Sequence, residues 1–365
     1  MFSTVKTAVT IEDHPKEANP SMKETKLLPI YDPERDRPAL LEAGRLLREG
    51  GLVAIPTETV YGLAANALDP EAVAGIFEAK GRPQDNPLIV HIHEMSMMED
   101  LVTGIPEAAH RLAERFWPGP LTMILPKTNR IPMATSGGLE TVAIRMPSNV
   151  VARAIIEAAG VPLAAPSANR SGSPSPTTWQ HCVDDLEGRV DAIVQSDPCA
   201  VGVESTVITL CGEVPRLLRP GAVTLEQLRE TLGQVEMDRG VLEQLPPDAR
   251  VSSPGMKYKH YAPKAEVTLV RGTGEAFVRY VQQQQPCGLW AICFEEDAGL
   301  TVPNRCYGAR EDHLTQANRI FDLLREMDKQ GAKKVCIHCP DTDGVGLAVY
   351  NRLIRSAAFH VVDAT

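Results

Sequence analysis

Six stretches of the sequence, grouped in four clusters, combine hydroxyls, cations and turn residues in a way that suits anion binding. Pro56-Thr57-Glu58-Thr59-Val60-Tyr61-Gly62-Leu63 follows the apolar run Leu52-Val53-Ala54-Ile55, and Lys80-Gly81-Arg82-Pro83-Gln84-Asp85-Asn86-Pro87-Leu88 sets two cations and an amide between Gly and Pro corners. A guanidinium fork and an ammonium offer charge-assisted donors to phosphate oxygens, although a solvated basic turn has the same composition. In Thr141-Val142-Ala143-Ile144-Arg145-Met146-Pro147 an arginine ends an apolar strand. An unpaired buried charge is costly, so Arg145 needs either a substrate or a structural carboxylate. Ala164-Ala165-Pro166-Ser167-Ala168-Asn169-Arg170-Ser171-Gly172 is a tight loop of small side chains that lets backbone N–H groups approach a phosphate, or else a plain turn. Gly202-Val203-Glu204-Ser205-Thr206-Val207-Ile208 and Leu218-Arg219-Pro220-Gly221 repeat the arrangement.

Recurrence of strand end, hydroxyl and cation from residue 56 to residue 221 favours one anion-lined cleft over separate coincidences. No Walker-type Gly-x-x-x-x-Gly-Lys-Ser/Thr, Gly-x-Ser-x-Gly elbow or paired His-Glu metal signature is present, so the chemistry rests on positioning and electrostatics. Such a cleft could instead bind double-stranded RNA without catalysis. Lys plus Arg 37 against Asp plus Glu 47 gives a net charge of -10, which disfavours polyanions globally, so direct nucleic-acid binding is expected to be weak or absent.

The elements that position these stretches alternate along the chain. With 365 residues, 43% apolar and 23% charged, the protein is expected to fold into two domains. Residues 1–34, with scattered prolines and no apolar period, read as a loose leader. Residues 35–235 read as mixed α/β with short strands: Asp69-Pro70 caps a helix running to Lys80, Thr141 to Arg145 is a strand, and Val150 to Ala159 is a helix. The period fails over 236–264, where Pro246-Pro247 and Ser252-Ser253-Pro254-Gly255 mark a linker. Residues 265–365 follow a simple strand–helix order that predicts a small Rossmann-like parallel sheet with helices on both faces. The eight cysteines read as reduced core residues, and Cys336-Ile-His-Cys339 lacks the second pair that a zinc ribbon needs. No apolar run reaches the ~18 residues of a membrane span and no signal-peptide order opens the chain, so a cytoplasmic protein with no membrane partner is expected.

Taken together, PTETVYGL, KGRPQDNPLIVHI, TVAIRMP, APSANRSG, GVESTV, LRPG and the later SPGMKYKHYAP closely resemble the YrdC-like family of L-threonylcarbamoyladenylate synthases, in its long two-domain form. The resemblance covers residues 35 to 365. It implies an open twisted mixed sheet around a concave basic cleft, followed by the small α/β domain. It further implies a nucleotidyltransferase that joins L-threonine, bicarbonate and ATP into threonylcarbamoyl-AMP and pyrophosphate, the first step towards threonylcarbamoyladenosine in tRNA, with a downstream threonylcarbamoyl transferase machinery as partner. By the same resemblance Thr59, His91, Arg145, Ala165 and Ser205 would bind threonine. Arg82, Asn86, Thr141, Ser167, Ser175, Arg219 and the linker's Tyr258 would bind ATP, with Lys80 and Arg82 as the catalytic cations. Mg2+ is expected only as the companion of ATP, with no prosthetic group and no protein metal site. The segment from Ser253 to Lys264 is expected to close over the cleft, since a carbamate decays quickly in water.

Overall fold

The computed structural model describes residues 23–82, 86–244, 261–284 and 287–365. In chain order the first domain runs β1 Lys26–Pro29, α1 Arg37–Arg48, β2 Val53–Ile55, β3 Gly62–Asn66, α2 Pro70–Lys80, β4 Ile89–His91, α3 Ser96–Glu99, α4 Glu107–Phe116, β5 Leu121–Pro126, α5 Met133–Ser136, β6 Thr141–Arg145, α6 Val150–Ala159, β7 Leu163–Ala164, α7 Trp179–Leu186, β8 Ala192–Gln195, β9 Thr206–Thr209, β10 Arg216–Arg219, α8 Leu225–Leu232 and β11 Glu236–Met237. The second runs β12 Glu266–Arg271, α9 Gly274–Gln283, β13 Leu289–Cys293, β14 Asn304–Cys306, α10 His313–Lys329, β15 Lys334–His338, α11 Gly346–Ser356 and β16 Val361–Asp363.

Eleven strands form the first sheet in the order β1-β8-β2-β3-β7-β4-β6-β5-β9-β10-β11, with parallel and antiparallel neighbours mixed. Alternation along β2 shows how both faces are covered. Val53 and Ile55 pack with Leu40 and Leu47 of α1 and with Ile155 and Ile156 of α6, whereas Leu52 and Ala54 join Val73, Ile76 and Phe77 of α2 on the other side. The α2 helix has clear punctuation. Asp69 accepts from the N–H groups of Glu71 (2.9 Å) and Ala72 (3.3 Å), Pro70 opens the first turn, and Gly81 takes the left-handed φ of +61° that stops the helix. The stop delivers Lys80 and Arg82 to the strand ends.

Several short strands lie where the sequence reading set none. Lys26–Pro29, inside the segment assigned to the leader, pairs in parallel with β8 and buries Leu28 and then Ile30. Glu236–Met237, inside the segment assigned to the linker, pairs with β10. Gly62–Asn66, read as part of a loop motif, lies antiparallel to β2. Each is short; the first two pair with strands far along the chain rather than by a local period, whereas β3 turns back beside β2 after a short connection.

The second sheet is parallel throughout, in the order β14-β13-β15-β12-β16. Phe277 and Val281 of α9 cover one face through Val270 and Cys293, and Phe321, Leu324 and Leu353 of α10 and α11 cover the other through Leu269 and Ile337. Six of the cysteines are buried or half-buried, but Cys211 and Cys287 are exposed, which corrects the reading of all eight as core. No helix among the described residues is long and apolar enough to cross a membrane.

The two domains meet through buried charge. Arg325 of α10 reaches Asp185 of α7 at 2.7 Å. The α11 helix is buried along its whole length, and Arg352 within it is completely enclosed.

Candidate functional site

Strand register assembles the site. Parallel pairing of β4 with β6 sets His91 opposite Arg145, and antiparallel pairing of β5 with β6 sets Thr122 opposite the same arginine. A slip of one residue would turn Arg145 to the other face, so the hydrophobic pattern of these strands also fixes the cleft. Ser205 immediately precedes β9, and Arg219 ends β10. Thr122 Oγ1 and Ser205 Oγ lie 2.8 Å apart, while Arg219 donates to the Ser205 carbonyl (3.0 Å) and hydroxyl (3.1 Å). Gly221 is required beside them, because a Cβ there would sit 2.4 Å from the Thr206 nitrogen.

Arg145, 4% exposed, has the structural carboxylate that the sequence left open and also faces the cleft. It forms an ion pair with Glu58 at 2.7 Å, donates to Thr59 Oγ1 at 2.8 Å and to the Gly119 carbonyl at 3.3 Å, and lines the cleft. Nη1 and Nε carry the hydrogen bonds, whereas the buried Nη2 meets Glu58 as an ion pair, so the guanidinium keeps donor capacity beyond its present hydrogen-bond partners.

Burial alone would raise the Glu58 carboxyl, but Arg145 outweighs it and holds Glu58 below its ordinary value. A carboxyl lowered in the fold supports stability above its unfolded pKa and loses that support as pH falls, so the Glu58–Arg145 pair persists at neutral pH. Burial and then Arg145 push His91 from 6.5 down to about 3. Between those values the unfolded chain takes up a proton that the fold refuses, so the fold loses support as pH drops from about 6.5 towards 3, and the imidazole stays neutral above that range. It lies with Nδ1 3.2 Å from the Ile89 carbonyl. The His91 ring proton resonances should therefore be flat in an NMR titration from pH 8 to pH 5. A midpoint near 6.5 would contradict the buried geometry.

The cleft brings together Thr59, Arg82, His91, Arg145, Ala165, Ser167, Ser205 and Arg219, all assigned from sequence. Burial lowers Arg219 only to about 10, so it remains a cation. Four other assigned residues stand apart from the lining. The ammonium of Lys80 is turned into the 167–169 loop, donating to the carbonyls of Ser167 and of Asn169 (2.5 Å), and burial together with nearby Arg82 holds it well below its ordinary pKa. It shapes the loop instead of facing the cleft. Ser175 is buried and donates to Glu204. Thr141 opens β6 at its far end from Arg145, opposite Pro126. Asn86 is 1% exposed, and neither amide atom has a hydrogen-bond partner among the described residues, an arrangement that ordinarily calls for a ligand or water. Tyr258 lies outside the described residues, as does the expected lid up to residue 260.

Sequence reasoning preferred Tyr258 to Tyr261 and missed the contact that holds Glu204. Tyr261, the first described residue after that segment, lines the cleft with a φ of +64° and packs its ring 5.1 Å from Phe321 of α10. Glu204 at the cleft is held by Arg352 of the second domain at 2.7 Å, and Arg352 also donates to the carbonyls of Pro220 (3.0 Å) and Glu204 (3.2 Å). Burial pushes Glu204 up, yet Arg352, Arg219 and Ser175 together hold it below its ordinary value. One signal for this link was present: Asn351-Arg352 interrupts the apolar helix Gly346-Leu347-Ala348-Val349-Tyr350, and a charge there must find a partner.

Comparison with known proteins agrees with this arrangement. A family model for Sua5, YciO and YrdC proteins, described as telomere recombination, matches residues 45–221. A model described as threonylcarbamoyl-AMP synthase, C-terminal domain, matches residues 223–358. The threonylcarbamoyl-AMP synthase of Bacillus subtilis is 45% identical over 331 residues, spanning 89% of this chain and 94% of its own, and that of Pyrococcus abyssi is 44% identical over 88% and 94%. The crystal structure of P. abyssi Sua5 complexed with L-threonine superposes with a TM-score of 0.84 at 39% identity, over 93% of this chain and 99% of that one. With both domains matched in order and most of its length aligned, the chain belongs to the threonylcarbamoyl-AMP synthase family in its two-domain form.

Proposed function

We propose that the cleft joins L-threonine, bicarbonate and ATP into threonylcarbamoyl-AMP and pyrophosphate, supplying the activated carbamoyl group for tRNA modification by a separate transferase. The observation that carries the reading is the combination in one cleft of a buried arginine with spare donor capacity and a set of further cations and hydroxyls. Arg145 takes the threonine carboxylate, and the Thr59 and Ser205 hydroxyls, already fixed by Arg145 and Arg219, order its polar groups. The threonine amine attacks the carbon of bicarbonate with loss of water, or that of carbon dioxide with loss of a proton, to form a carbamate. The resulting carbamate oxygen attacks the α-phosphorus, and the bond to pyrophosphate breaks. Arg82 and Arg219 offset the charge that moves onto the leaving group, as nucleotidyl transfer requires. A neutral His91 adds no cation next to the amine. Lys80 acts as a positioning residue, holding the carbonyls of the loop that bears Ser167.

Mg2+ enters as the companion of ATP. The two cleft carboxylates are committed to Arg145 and Arg352, and among the described residues no group of three or more His, Cys, Asp or Glu is placed to hold a metal. The residues do not fit a resident ion, and no step is assigned to one.

A double-stranded RNA module is not favoured, because Arg145 and Arg219 are buried in a cleft (4% and 7% exposed) rather than arrayed on a surface that a duplex could reach. In a pyrophosphate-release assay, turnover should require threonine and bicarbonate together. Equal release with bicarbonate rigorously removed would eliminate the carbamate route.

A further inference from the structure

A second cavity lies outside the chemistry of the cleft. In the parallel sheet β12 and β15 are neighbours, and the chain leaves their carboxyl ends in opposite directions: from β12 it passes β15 to reach β13, and from β15 it passes back over β12 to reach β16. Where successive connections diverge, the loops part and open a crevice, the usual ligand seat of an open α/β sheet. Here the first domain roofs the crevice. Leu225 of α8 and Met237 of β11 face Arg271, Arg310, Leu347 and Tyr350 across about 570 Å3, within the ~300–1,000 Å3 typical of small-molecule sites.

The charges in this space are arranged for an anion. Arg271 ends β12, and Arg310 lies in the loop after β14. Arg310 is held in place, with its guanidinium 4.4 Å over the Phe294 ring and 3.0 Å from Nε2 of the fully buried His338, whose Nδ1 is 2.6 Å from Asp297. The α11 helix begins beside the cavity; its Gly346 and Ala348 N–H groups are taken by the Asp343 and Val345 carbonyls, so its start adds the helix dipole to the two guanidinium groups rather than free donors. Asp341, 4.0 Å from Arg310, and Glu226 are the carboxylates on the lining, and Asp363 pairs with Arg271 at 3.1 Å from outside it. Leu225, Met237, Leu347 and Tyr350 supply an apolar and aromatic wall for the remainder of a ligand. We propose that this interdomain cavity binds a small phosphorylated metabolite with an apolar or aromatic body, its phosphate held between Arg271 and Arg310.

Calorimetric titration of the full chain with 5′-AMP, and with inorganic phosphate as competitor, tests this. Wild-type protein should show two classes of AMP site, one in the cleft and one here. Arg271→Gln, at a half-exposed side chain, should weaken one class at least tenfold, and Thr342→Trp, which fills the cavity from an exposed loop position, should abolish the same class. Inorganic phosphate should compete for that class. AMP binding indifferent to both substitutions, or no competition by phosphate for the class that they affect, would overturn the proposal. Binding is read without turnover, so failure of the synthase reading would leave this result intact. A coincident thermal melt excludes misfolding of the variants as the cause.

Discussion

Arg145→Ala should weaken threonine binding by about 30-fold to 900-fold, the equivalent of about 2–4 kcal/mol for a desolvated charge-assisted contact, while ATP affinity changes little. The structure makes the interpretation of this variant more demanding than the sequence did, because alanine also leaves Glu58 buried without its cation. Removing one member of a buried pair costs ~3–5 kcal/mol in its own right, which could unfold the domain before threonine is tested. Two further variants separate the effects. Arg145→Ala combined with Glu58→Gln removes both charges and should recover the fold but not threonine binding. Arg145→Lys keeps the charge near Glu58 yet cannot offer two parallel N–H groups, so it should remain folded with a threonine affinity well below wild type. Calorimetry that finds wild-type threonine affinity in a folded double variant would remove Arg145 from the threonine site.

Arg352→Met should be among the most destabilising single changes in the protein, about 3–5 kcal/mol, because it strands Glu204 inside the domain boundary. Synthase activity should fall with it, since Glu204, Ser175 and the loop carrying Ser205 are fixed from the second domain through this arginine. Pairing Arg352→Met with Glu204→Gln should restore much of the stability without restoring activity. Chemical denaturation of the four proteins in a double-mutant cycle measures the coupling, and simple additivity would show that the contact carries no weight.

The cleft was legible in the sequence to the extent that its residues sit at strand ends. Thr141–Arg145, Val150–Ala159 and His313–Lys329 fall where periodicity and caps place them, and the side chains they carry follow. Lys80 was misread because its burial depends on a loop 87 residues away: composition marks it as a phosphate cation, whereas packing turns its ammonium towards the Ser167 carbonyl. Arg145 stayed ambiguous for a similar reason, since Glu58 becomes its partner only once β6 is in register with β4. β14 was missed altogether, because Asn304-Arg305-Cys306 has no apolar period and is a strand by virtue of pairing with β13. The Glu204–Arg352 contact joins residues 148 apart, and no local pattern carries that information.

That long separation also has a temporal side. Ribosomes make the chain from its amino end, and domains tend to fold as they emerge, so every residue that lines the cleft exists before α11 has been synthesised. During that interval Glu204 has Ser175 and Arg219 nearby but not the cation that completes its neutralisation. The nascent first domain is therefore an unfinished catalyst, and the cleft acquires its final charge balance only when residue 352 docks against residues laid down long before it.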